Sequence, residues 1–155
     1  MQYIRHKFAA ERTASARALV KALLREMPGV SSDHRDECIH RVALYKITEA
    51  DCENKFRTRY MSNAALEIAQ HEKKPNDSRL LIHEHVTERQ KVLEKLIKAS
   101  PNQVDEILDS IVACVVTKEE HKRLGSRSLK DLHGWDRYHE IKVRVWDTQT
   151  NSQYI

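Results

Sequence analysis

Residues that break or staple a chain are scarce: three glycines, three prolines and three cysteines in 155 positions. So few turn-formers favour long elements and a largely helical chain. Cys38, Cys52 and Cys114 show no C-x-x-C spacing and an odd count, which speaks against a disulfide framework or a zinc ribbon and for reduced cytoplasmic thiols. No segment approaches the roughly 18 apolar residues of a membrane span. Arg5, His6 and Lys7 lead into no long apolar stretch, so no secretory leader is expected. A phosphate-binding glycine loop, a Gly-x-Ser-x-Gly elbow and a His-Glu-x-x-His pair are all missing. P-loop hydrolysis, serine hydrolase chemistry and zincin proteolysis therefore have no support.

What is present is charge: 32% of residues are charged and 40% hydrophobic, with a formal net charge of +4. This composition suits a soluble single domain with a real core. The basic balance permits a polyanionic partner without requiring one.

Along the chain, residues 5–27 place Phe8, Ala9, Ala16, Leu19, Val20, Leu23 and Leu24 at helical spacing, with a stop at Pro28-Gly29. The polar face of that helix is mostly basic, which usually means a solvated surface. Ser31-Ser32-Asp33 offers a cap for a second helix through Tyr45. Thr48-Glu49-Ala50-Asp51 reads as another helix start. Lys55, Arg57 and Arg59 interleave with Phe56 and Tyr60, a pattern that serves phosphate contacts and base stacking or, more simply, a helix with aromatics inward. Ser62 can cap a helix over 64–70, and a polar linker over 71–78 divides a helical part, 1–74, from an α+β part, 79–148, within one compact unit.

The second part carries the chemistry. Residues 80–84 read as a strand running into His83-Glu84-His85, and 111–116 as a β-branched strand holding Cys114 as a buried hydrophobe. Between them lie two helices, the second opened by Ser100-Pro101. Thr117 with Glu120 forms a capping box for a helix carrying His121, and Lys118, Lys122 and Arg123 give it a basic surface. Trp135–Tyr138 suggests a helical turn with Trp135 as a core anchor. Residues 140–147 alternate like an amphipathic strand, and the polar last eight residues are expected to fray. The fold expected is α+β, mostly helical, with a small sheet of about three short strands.

Strand alternation puts His83 and His85 on one face and Glu84 on the other. Two histidines on a strand face can chelate a metal. Equally, a carboxylate and an imidazole can hold a divalent ion beside a histidine base, the arrangement phosphodiester hydrolysis needs. Nine histidines make chance clustering the plainer alternative.

A strand ending in acid-His, followed by a second strand feeding a helix with an early histidine, resembles the HNH nucleases with a ββα-metal motif. The resemblance covers residues 80–124, with two helices inserted between the strands. It implies that Glu84 and His121 ligate a metal such as Mg, Mn, Ni or Zn, with His83 as a further donor and His85 as the general base. It implies a cytoplasmic nucleic-acid-binding protein acting on DNA, in the sharper version as a metal-dependent endonuclease, with Lys55, Arg57, Arg59, Lys118, Lys122 and Arg123 on phosphate. A homodimer is compatible with it. The rival expectation is a non-enzymatic interaction protein, a phage- or plasmid-type regulator or inhibitor, using its helical first half as recognition surface.

Overall fold

In the computed structural model, which describes residues 3–25, 29–71 and 79–155, the fold is α+β with helices predominating. Helix α1, Ala9–Leu23, buries Ala9, Ala16 and Val20. It is shorter than the 5–27 periodicity suggests, because Arg5 instead forms an antiparallel bridge with Cys52. The stop at Pro28 lies outside the described residues. Ser31 accepts from the His34 amide and caps α2, Ser32–Cys38. That helix passes through a π-helical stretch, Ile39–Ala43, into α3, Leu44–Glu49. Thr48 therefore ends a helix rather than starting one, and its hydroxyl donates to the Tyr45 carbonyl at 3.1 Å.

Residues 53–59 form no helix. Phe56 enters the core while Lys55 and Arg59 remain exposed. Strand β1, Tyr60–Ser62, follows, and the Ser62 hydroxyl accepts from the Ala65 amide at 3.1 Å, starting α4, Asn63–His71. The linker expected over 71–78 lies, from Glu72 onward, outside the described residues.

The second half runs β2 Leu81–His85, α5 Arg89–Lys98, α6 Pro101–Asp109, β3 Ala113–Thr117 and α7 Lys118–Leu124. After a 3-10 turn at Arg127–Leu129 come α8 Asp136–Glu140, β4 Val145–Asp147 and β5 Ser152–Gln153. The sheet therefore has five strands rather than about three, in the order β2-β3-β1-β4-β5. β1 and β3 are parallel and the other neighbours antiparallel.

Two sequence expectations change here. The alternating 140–147 segment is a strand only over its last three residues, because α8 continues to Glu140 and Lys142 turns the chain at φ 56. The polar tail is also not frayed: it folds back as β5, and the Tyr154 amide donates to the Val145 carbonyl at 2.8 Å. Backbone pairing holds this tail together with the packing of Tyr154 on Tyr60 and Trp135, at 4.7 and 5.2 Å between centroids.

Three apolar clusters follow. The first joins α1 and α3 (Val20, Leu44) to α5 and α6 (Leu93, Leu96, Leu108), so the two sequence parts share one core. The others cover the two sheet faces, one with Leu124, Tyr138 and Val145, the other with Phe56, Met61 and Val115. Edge strand β2 is thereby held between the α3 side and the α7–α8 side.

Candidate functional site

Strand alternation divides the His83-Glu84-His85 cluster as the period of two requires. His83 and His85 are 6% and 5% exposed and face α3. His83 Nδ1 lies 2.7 Å from the Lys55 carbonyl and its Nε2 3.0 Å from the Thr48 hydroxyl, while His85 Nε2 lies 3.3 Å from that hydroxyl. A carbonyl only accepts, so His83 carries a proton on Nδ1. His85 Nε2 also lies 3.4 Å from the Leu44 carbonyl, which places a proton on that nitrogen. Tyr45 packs edge-on to His85 at 4.8 Å between centroids, and Arg89 lies over the Tyr45 ring at 4.5 Å. Burial pushes the His85 pKa down to about 3, and His83 and Arg89 push the same way. Burial also lowers His83.

Glu84 points to the opposite face. Its Oε2 lies 2.7 Å from His121 Nδ1, with the two side chains 14% and 49% exposed. The capping box that starts α7 sets this meeting. The Thr117 hydroxyl accepts from the Glu120 amide at 3.1 Å, and Glu120 Oε2 accepts from the Thr117 amide at 2.8 Å. The same carboxylate accepts from the Ser62 hydroxyl at 2.6 Å, tying α7 to β1. With α7 so anchored, His121 falls beside the end of β2. Its pKa is raised, first by the hydrogen bond to Glu84, with partial burial opposing.

Arg137, from α8, closes the site from inside at 2% exposure. Its guanidinium donates to the carbonyls of His85, Val86 and Leu124 at 3.2, 2.6 and 3.5 Å, joining the end of β2 to the end of α7. It also lies 3.5 Å from Glu84 and 3.7 Å from Glu88. The row extends to Lys91, 3.1 Å from Glu88. Beneath it, burial pushes the Cys114 thiol and the Tyr138 phenol well up, so both stay protonated.

Thus the structure brings Glu84 and His121 together and places His83 and His85 on the other side of the strand. Among the described residues, no group of three or more His, Cys, Asp or Glu side chains is arranged to hold a metal. Of the basic residues singled out in sequence, Lys118, Lys122 and Arg123 are exposed on α7 and line an open cleft with Ser126. Lys55 lies over the Phe56 ring and Arg57 is half-buried in the same loop. Arg59 is held by Asp147 at 2.7 Å and lies over the Tyr60 ring, so much of its charge is already engaged. Sequence reasoning missed Arg137 and Thr48. Arg137 sits between Trp135 and Tyr138, where the aromatics draw the eye, and Thr48 resembles a cap. No family model, curated protein or solved structure matches the chain.

Proposed function

We propose that the chain is a nucleic-acid-binding protein whose Glu84–His121 pair forms a phosphodiester-cleaving site of the ββα type. The observation that carries this reading is the 2.7 Å Glu84–His121 contact where β2 and β3 meet the start of α7. On that helix Lys118 and Lys122, three positions before and one after the histidine, flank it with charges suited to phosphate.

Glu84 and His121 are the residues that would hold a divalent ion. Two protein donors fall short of a resident zinc site, which takes three or four. They would suit a hydrated ion such as Mg²⁺. Bound there, it would neutralise the phosphate and supply an acidified water. The chain's own residues do the rest. Arg137 fixes Glu84, Glu84 holds the imidazole through Nδ1 until the ion would take over that contact, and Lys118 and Lys122 bind the strand. His121 must lose its proton to act as a ligand, so cleavage rises with pH through its raised pKa. His85 does not enter the chemistry in this reading, because it is buried, neutral and bonded to Thr48.

The test is plasmid nicking with Mg²⁺, Mn²⁺, Ni²⁺ or Zn²⁺ by wild type, Glu84→Gln, His121→Ala and His85→Asn. Nicking lost in the first two variants and kept in the third is the expected result. Loss only in His85→Asn, with the fold intact by circular dichroism, returns the base role to His85. No nicking by wild type with any metal removes the enzyme and leaves a binding protein.

A further inference from the structure

Resting on that reading, we infer that α5 carries the track along which the sugar–phosphate backbone of the nucleic acid reaches the Glu84–His121 pair. Lys91, Lys95 and Lys98 occupy positions i, i+4 and i+7 of α5 and so share one side of the helix. Together with Gln103, Ser110 and His133 they line an open groove between α5, α6 and the loop before α8. Glu94 and Glu106 also lie on its wall, and Glu94 is engaged by Gln90 at 3.4 Å.

Contacts already described join this groove to the candidate site. From His121 the chain of opposite charges runs through Glu84, Arg137 and Glu88 to Lys91. Arg137 faces both carboxylates of the row and Lys91 faces Glu88 as well, so neither is left without a cation between groove and site. At the groove end, Lys91 Nζ lies 2.7 Å from His133 Nδ1 and 3.3 Å from the Lys130 carbonyl. An ammonium only donates, so His133 accepts at Nδ1 and carries its proton on Nε2, as a further donor for an anionic oxygen. Lys95 and Lys98 are exposed and have no ion-pair partner among the described residues.

Lys91 spends its three protons on Glu88, His133 and Lys130 and so fixes the end of the groove. Lys95 and Lys98 lie about 4.5 Å apart along the helix rise, which at 3.4 Å per phosphate along one strand meets about two phosphates. A row of point charges with no base-reading geometry grips backbone rather than sequence. The track is therefore sequence-independent, and it extends the basic surface of α7 in a direction the charge runs of the sequence do not mark.

The experiment is binding of a fluorescein-labelled oligonucleotide duplex by anisotropy over a series of salt concentrations. Wild type is compared with Lys95→Gln/Lys98→Gln and with a control that removes two charges elsewhere, Arg25→Gln/Arg41→Gln. The α5 variant should lower the slope of log K against log salt by about 1.8, for two lost phosphate contacts. The control should leave the slope unchanged. An unchanged slope in the α5 variant, or an equal drop in the control, overturns the track. Binding without cleavage by wild type, with the slope still falling in the α5 variant, removes the enzymatic reading and keeps the track. Wild-type protein that binds no duplex at any salt overturns both.

Discussion

On one face of β2, His83 and His85 are closed off from water and share the Thr48 hydroxyl, and burial lowers the pKa of both. On the other, Glu84 meets a half-exposed His121 whose ring is easier to protonate than usual. Residues adjacent in sequence thus carry opposite electrostatics: burial drives one imidazole toward neutrality, and a carboxylate drives the other toward charge. His83 and His85 stay together, with ring centroids 5.6 Å apart, and leave Glu84 to another partner. The one that joins Glu84 comes from 37 residues further along.

The strongest way to break this contrast is to remove the residue that holds Glu84 in place from behind. Arg137→Met leaves the carbonyls of His85, Val86 and Leu124 without their donor and Glu84 and Glu88 without their buried counter-charge. A loss of about 3–5 kcal/mol is expected in urea unfolding; a loss below 1 kcal/mol would mean that the guanidinium is not structural.

Acid should act strongly on the buried histidine face. His85 titrates near 3 when folded and near its ordinary 6.5 when unfolded. Between these values the unfolded chain takes up the proton, so stability is full above 6.5 and falls as pH drops through this window. At 1.36 kcal/mol per unit, roughly 2 kcal/mol is lost between pH 7 and pH 5. His85→Leu should narrow that difference, as read from unfolding midpoints at the two pH values. His121 works in the opposite direction: it contributes stability below its ordinary pKa, and this is lost as pH rises through the raised value. Its exposure keeps that effect small.

Next in size is the capping box. Thr117→Ala should cost about 1 kcal/mol and loosen the start of α7, seen as faster amide exchange there. Smallest is Glu84→Gln. By NMR titration the His121 pKa should fall toward its ordinary value, while His85 shows no titration above pH 5. An unchanged His121 pKa would mean that the pair does not form in solution.

Much of this was legible in the sequence where the signal is local. Thr117 and Glu120 announce α7, Ser100-Pro101 announces α6, and the apolar runs announce β2 and β3. Alternation even separates Glu84 from its neighbouring histidines. What the sequence did not reveal depends on partners far along the chain. Thr48 reads as a cap until β2 is laid against it, and nothing local marks Arg137 until three carbonyls converge on it. The tail, Ser152–Gln153, pairs through backbone groups that every residue possesses.

The π-helical stretch Ile39–Ala43 has a consequence for how this architecture tolerates change. A stretch of this kind holds one residue more than the α-helix it interrupts, and each residue sets the angular phase of everything after it. Wound as regular α-helix, the same residues would be better bonded locally than they are now. The extra residue would then rotate α3 by about 100°, turning Thr48 and Tyr45 away from His83 and His85. The π stretch thus acts as a phase setting between two parts of the molecule, and a smoother helix of the same length would fit its own hydrogen bonds and miss its partner.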